Sequence, residues 1–237
     1  MEKRVIIGVP LRCQVNENGA PIEYIFDYVR RAIFKVGGEV LPICPPQDLN
    51  YFEVRYNDYP KLTDEEKNRI EFWLDKIDGM FIPGGIKFSP YDQFLLERCI
   101  EKDIPVLAVC LGMQIMSCFE EKVDIQRINS DINHLDESGK QYVHSVKIDK
   151  DSKLYKIIGS EYIKVNSSHT QCASSNHVYK SVAYSEDGIL EGIEHPTATF
   201  NIGVQWHPEK MIDYDENARK LLGAFITACK EYSKNKE

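Results

Sequence analysis

The chain has 237 residues, 43% of them hydrophobic, which is enough for one α/β domain or two small ones. Its formal charge of −8, with no Lys/Arg cluster, argues against nucleic acid or an anionic membrane as partner. The seven cysteines are odd in number and scattered without a Cys-x-x-Cys pair, so neither a disulfide framework nor a structural zinc site is expected, and a reducing cytoplasm is. No uncharged apolar stretch is long enough to span a bilayer, and no secretory leader is expected.

Arg4 to Pro10 reads as a first strand, followed by a polar loop over 12–21 with Asn-Glu-Asn-Gly turn chemistry. Ile25, Phe26, Val29, Ile33 and Val36 recur at a helical period, so a helix is predicted over 22–36, stopping at Gly37-Gly38. Glu39 to Ile43 is the second strand, and a Pro- and Tyr-rich loop follows over 45–62. Thr63-Asp-Glu-Glu66 is a capping-box start for a helix reaching about Lys76. Asp78 to Gly85 reads as a short strand ending in a double glycine, and Ser89-Pro90 opens a helix to about Lys102. Ile104 to Val109 is apolar throughout and rich in β-branched residues, as a strand buried on both faces would be. A helix over 113–119 follows it.

This β-α-β-α alternation predicts a three-layer α/β/α architecture around a mostly parallel sheet, with functional groups at the carboxyl ends of the strands. The second half has short, alternating apolar stretches over 123–127, 142–149, 162–167, 179–185, 190–195 and 199–206, which read as added antiparallel or mixed strands. A helix over 213–230 closes the chain. With no linker, repeat or low-complexity stretch, residues 1–237 read as one domain.

Two stretches carry chemistry. In Ala108-Val-Cys-Leu-Gly112, small residues two places either side of Cys110 suit a sharp strand-to-helix turn of the kind that exposes a nucleophile. The free N–H groups of the helix start there favour negative charge on the sulfur. Near the other end, Ile202-Gly-Val-Gln-Trp-His-Pro-Glu209 places His207 and Glu209 either side of a proline. Extended geometry before Pro208 would let the carboxylate hold one imidazole nitrogen and leave the other for a thiol, the logic of a triad. Ile82-Pro-Gly-Gly85 is a strand-ending turn whose backbone could approach a reacting oxyanion closely. His134, His144, His177 and His195 show no partner pattern, no spacing suggests a metal site, and no phosphate-binding loop is present.

Cys-x-Gly-x-Gln together with the distant Gly-Val-Gln-Trp-His-Pro-Glu resembles the class I glutamine amidotransferase-like superfamily, and more narrowly its γ-glutamyl-γ-aminobutyrate hydrolase (peptidase C26) family. The resemblance covers nearly the whole chain and implies a flavodoxin-like fold. It implies Cys110, His207 and Glu209 as a catalytic triad. It also implies an oxyanion hole from the backbone of Gly84, Gly85 and Leu111, and substrate contacts from Gln114 and, in Val165-Asn-Ser-Ser-His-Thr-Gln171, from Asn166, Ser167 and His169. His169 is the weaker candidate for chemistry, because its sequence neighbours include no carboxylate.

The implied activity is hydrolysis of a γ-glutamyl amide, with no cofactor and a small molecule as the binding partner. The family usually carries Cys-Arg-Gly where this chain has Cys110-Leu111-Gly112, as glutaminase subunits often do, and this chain's stretch between Gly85 and Ile104 is shorter than usual in the family. The leaving amine therefore stays open. A glutaminase serving a separate synthase subunit is the first alternative, and a non-catalytic binding domain on the same scaffold is the second. The oligomeric state is open, a homodimer included.

Overall fold

A computed structural model describes residues 4–53, 60–120, 125–136 and 138–236. The chain runs β1 (Val5–Pro10), β2 (Arg12–Val15), β3 (Pro21–Tyr24), α1 (Asp27–Lys35), β4 (Gly38–Ile43), α2 (Asp64–Leu74), β5 (Gly79–Ile82), α3 (Pro90–Glu101), β6 (Val106–Val109) and α4 (Leu111–Ser117). It continues through β7 (Ile125–Arg127), β8 (His144–Ile148), α5 (Lys153–Ile158), β9 (Tyr162–Val165), β10 (Gln171–Ala173), β11 (Lys180–Ser185), β12 (Leu190–Glu194), β13 (Asn201–Val204), α6 (Pro208–Met211) and α7 (Glu216–Asn235).

Nine strands form one mixed sheet in the order β4-β1-β5-β6-β13-β12-β11-β8-β9. The five strands from β4 to β13 are parallel neighbours, and every pairing beyond β13 is antiparallel. The α/β architecture expected from the alternation is present, with the antiparallel extension supplied by the second half.

The three layers follow from the two-residue period of a strand. On β6, Leu107 and Val109 face one apolar cluster, whereas Val106 and Ala108 face another. Phe81 on β5 joins the first cluster, while Met80 and Ile82 join the second. Val29, Ala32 and Ile33 of α1 with Leu221, Leu222 and Phe225 of α7 cover the first side. Ile70 and Leu74 of α2, Leu95 and Leu96 of α3 and Met113 and Met116 of α4 cover the second. A strand buried on both faces has no polar side to alternate with, which is why Ile104 to Val109 reads as a continuous apolar run.

The capping box before α2 is formed: Thr63 Oγ1 accepts from the Glu66 amide, and the Glu66 carboxylate accepts from the Thr63 amide. Gly37 ends the segment after α1 with φ of 91°, a backbone state only glycine adopts without strain.

The expected loop over 12–21 and helix from Ile22 are corrected. β2 and β3 pair antiparallel, and α1 begins only at Asp27. Asn16 closes this hairpin, its side-chain oxygen accepting from the amides of Asn18 and Ala20. Four-residue strands are too short to show their period against the helical one that follows. The short elements α5, β10 and α6 were not expected, and α7 extends five residues beyond the predicted Lys230. Part of the 45–62 loop and the start of the 123–127 strand lie outside the described residues. Among the described residues no helix is long and apolar enough to cross a membrane.

Candidate active site

β6 ends at Val109 and α4 begins at Leu111, so Cys110 alone makes the turn between them, with φ of 52° and ψ of −110°. A positive φ on a side-chain-bearing residue costs on the order of 1–3 kcal/mol and persists only where its surroundings enforce it. Here the Cys110 amide donates to Val204 O at 2.8 Å, and its carbonyl accepts from the Gln114 amide at 3.1 Å. A Cβ on Gly112 would run into the carbonyl oxygen of Ile82, so only glycine lets α4 sit this close to β5. Cys110 is 8% exposed, at the edge of the interior rather than sealed in it. By helix geometry the amides of Leu111, Gly112 and Met113 have no intrahelical acceptor.

β13 lies beside β6 with Val204 opposite Val109, so the residues that follow each strand emerge side by side. This adjacency brings His207 to Cys110. The two rings of contact meet over Gly84: a Cβ there would lie 3.0 Å from His207 Cε1, 3.4 Å from Cys110 Cβ and 3.8 Å from Cys110 Sγ. The Cys110 side chain lies close enough to His207 to raise the imidazole's affinity for a proton. His207 Nδ1 lies 2.6 Å from Glu209 Oε1, leaving Nε2 for the sulfur.

The expected extended run from His207 to Glu209 is corrected, because Pro208 opens α6 and Glu209 swings back within its first turn. His207 and Glu209 are both buried. Burial works against charge on the imidazole, but the Glu209 carboxylate and the Cys110 sulfur outweigh it and hold His207 up at about 9. The arrangement favours an imidazolium at His207.

Gly85 packs on the start of α4, where a Cβ would meet Leu111 Cδ2 at 3.0 Å and Arg12 Cδ at 3.1 Å. Arg12 anchors this turn. Its Nη1 donates to both carboxylate oxygens of Asp92 at 2.8 and 2.9 Å, and its Nη2 donates to Pro83 O at 3.1 Å. Asp92 also accepts from the Ser89 amide at 2.8 Å at the start of α3. The Arg12–Asp92 pair thus ties the hairpin, α3 and the Pro83-Gly84-Gly85 turn together beneath Cys110. Sequence reading passed over Arg12 as part of a polar loop, since its partner is eighty positions away.

The Peptidase C26 family model matches residues 89–209, a span that includes Cys110, His207 and Glu209. The chain belongs to the peptidase C26 family. It is accordingly an amide-bond hydrolase of the glutamine amidotransferase-like kind.

This C26 chain is 24% identical to the γ-glutamyl-γ-aminobutyrate hydrolase PuuD of Escherichia coli, over 98% of this chain and 96% of that one. It is 34% identical over 145 residues to a Schizosaccharomyces pombe protein described as a glutamine amidotransferase, a match spanning 59% of this chain and only 56% of that protein. The fold is similar to that of the Trypanosoma brucei CTPS glutaminase domain with bound acivicin, with a TM-score of 0.64 at 15% identity, covering 96% of this chain and 94% of that one.

The residues of the loop after β9 expected to contact substrate also hydrogen-bond within the protein. Asn166 Nδ2 donates to His207 O, and Asn166 Oδ1 accepts from the His207 amide. Ser167 Oγ donates to His134 O at 2.7 Å. His169 Nδ1 donates to Gln171 O at 3.0 Å, and its other nitrogen lies 3.5 Å from Glu191. Gln114 lies on α4 and is buried; its Nε2 donates to Gln171 O at 3.1 Å and to Gln205 Oε1 at 3.3 Å. The reading of His134 and His144 as residues without a partner pattern is also corrected: both converge with His169 on Glu191. These residues come from four separate segments, so no local spacing could reveal them.

Proposed function

We propose that the protein hydrolyses γ-glutamyl amides through a thioester on Cys110. The observation that carries this reading is His207, held by Glu209 on one nitrogen and set beside Cys110 over Gly84. The Cys110 thiolate attacks the γ-carbonyl, forming a C–S bond and an oxyanion. Backbone N–H groups of Gly84 or Gly85 and of Leu111 receive that oxygen, each such donor being worth about 2.7–4 kcal/mol of barrier. As the oxyanion collapses, the C–N bond breaks and the imidazolium of His207 protonates the departing amine. Neutral His207 then takes a proton from water, which cleaves the thioester, releases glutamate and returns the thiol.

γ-Glutamyl-γ-aminobutyrate or a related γ-glutamyl amine is the proposed substrate, supported by similarity along nearly the whole chain to PuuD. Gln114 is retained as a candidate for the glutamyl group, through its side-chain oxygen. The odd, scattered cysteines of the sequence are in keeping with a reducing cytoplasm.

The second reading is a glutaminase subunit that feeds ammonia to a synthase partner. Leu111 after the nucleophile and similarity to the glutaminase domain of a CTP synthase favour it. A panel of γ-glutamyl amides and glutamine, assayed for glutamate release with Cys110→Ala as control, separates the two. Turnover of γ-glutamyl amines by the isolated chain supports hydrolysis. Turnover of glutamine alone, and only with an added partner, overturns it.

A further inference from the structure

Outside the Cys110 site, His134, His144, His169 and Glu191 meet in the interior, and all four are buried. They come from the segment after β7, the first residue of β8, the loop after β9 and the second residue of β12. His134 Nδ1 lies 3.3 Å from His169 Nε2 and 3.4 Å from Glu191 Oε1. His144 Nε2 and His169 Nε2 each lie 3.5 Å from the same oxygen. All four donor atoms lie within 4.8 Å of one another. Four ligands bonded to one ion at about 2.0–2.2 Å on a tetrahedron are separated by about 3.3–3.6 Å. Four of the six edges of such a tetrahedron are therefore already present.

Each ring also has an oxygen at its outer nitrogen, which favours the tautomer protonated there. His134 Nε2 faces the Asp187 carboxylate at 3.0 Å, His169 Nδ1 faces Gln171 O at 3.0 Å and His144 Nδ1 faces Ser145 O at 3.3 Å. An acceptor at each outer nitrogen leaves a lone pair on each inner one. That is how metal-ligating histidines are held, by a carboxylate or carbonyl behind the ring. With the rings in that tautomer, the inner nitrogens of His134 and His169, 3.3 Å apart, and Glu191 face one another with no proton between them. Both Glu191 oxygens and His144 Nε2 are buried without a hydrogen bond, at spacings longer than an ordinary N–H···O bond. A dication resolves every part of this. It accepts the lone pairs, and its two positive charges balance Glu191 and Asp187.

We propose that His134, His144, His169 and Glu191 bind one divalent transition-metal ion of the zinc class. Imidazole nitrogen and carboxylate oxygen suit such an ion, and four buried protein ligands make a closed, structural site. The ion would cross-link the antiparallel extension. It would also fix the loop that runs from Asn166, which holds the main chain of His207, to His169. Cys110 and the hydrolytic chemistry take no part in it.

The test uses the full chain and its Cys110→Ala variant, each stripped with chelator and then equilibrated with zinc or cobalt sulfate. After dialysis, elemental analysis should find about one ion per chain in both. Cobalt should give the intense visible bands of a tetrahedral site without a thiolate charge-transfer band. Zinc at a hundredfold excess over Kd should raise Tm by about 5–10 °C. Glu191→Gln and His144→Gln should each lose the ion. No retained ion and no zinc-dependent Tm shift in the wild-type chain overturns the proposal, whatever the variants do. So does an ion lost in Cys110→Ala but kept in Glu191→Gln.

Discussion

Asn166 and His207 hold each other at both ends: the side-chain amide donates to the His207 carbonyl and accepts from the His207 amide, each at 2.9 Å. Two bonds in opposite directions fix the peptide plane on either side of the imidazole's Cα. Asn166 is therefore a positioning residue for the proposed base. Asn166→Ala should lower kcat by about a hundredfold with little change in KM, the size expected when a reacting group is displaced by about 1 Å. Steady-state kinetics on a γ-glutamyl amide read the split. A rise in KM at constant kcat would restore Asn166 to substrate binding.

The protonation of His207 sets the alkaline limit. Its folded value of about 9 lies above the ordinary 6.5, so the stability it contributes is complete below about pH 6.5 and is lost as pH rises through 9. Activity should follow the same limb, because the leaving amine needs the imidazolium. Glu209→Gln removes a carboxylate that opposes the effect of burial, and should move the basic limb of kcat/KM down by about one to three pH units. A pH profile with an unmoved limb contradicts this.

Arg12 and Asp92 form a bidentate pair with both partners almost wholly buried. Removing one leaves the other charged and unpaired in the interior. Arg12→Met should cost about 3–5 kcal/mol in urea denaturation. The double variant Arg12→Met/Asp92→Leu should lose less than the two single variants added together. Activity should fall in each case, since the Pro83 carbonyl loses its anchor and the Gly84-Gly85 turn is freed.

Two glycines should respond to alanine with opposite signs. Gly112→Ala drives a Cβ into the carbonyl of Ile82 and must push α4 off β5, at a cost of about 3 kcal/mol or more. Gly223 sits mid-way along α7, and a Cβ there meets nothing within 4 Å. Gly223→Ala should stabilise the protein by about 0.5–1 kcal/mol through helix propensity alone. Thermal unfolding of the two variants checks both signs.

How much could be read from the chain depended on distance along it. The continuous apolar run of β6, the capping box at Thr63 and the small residues around Cys110 are local signals with one physical cause each, and each element stands where it was expected. The β2–β3 hairpin was missed because four-residue strands show no period of their own. The helical turn that carries Glu209 was missed because Pro208 suits both an extended residue before it and a helix start at its own position.

What chain order alone conveyed was the kind of scaffold and the residue types that could do nucleophilic chemistry, because periodicity and turn composition are written in neighbouring residues. Only folding decided who stands beside whom. The parallel register of β6 and β13 sets His207 against Cys110; Arg12 finds Asp92 across eighty positions; three histidines find Glu191 from three different segments. Contacts of that kind are set by how strands are ordered in the sheet, and strand order leaves no mark on the spacing of residues along the chain.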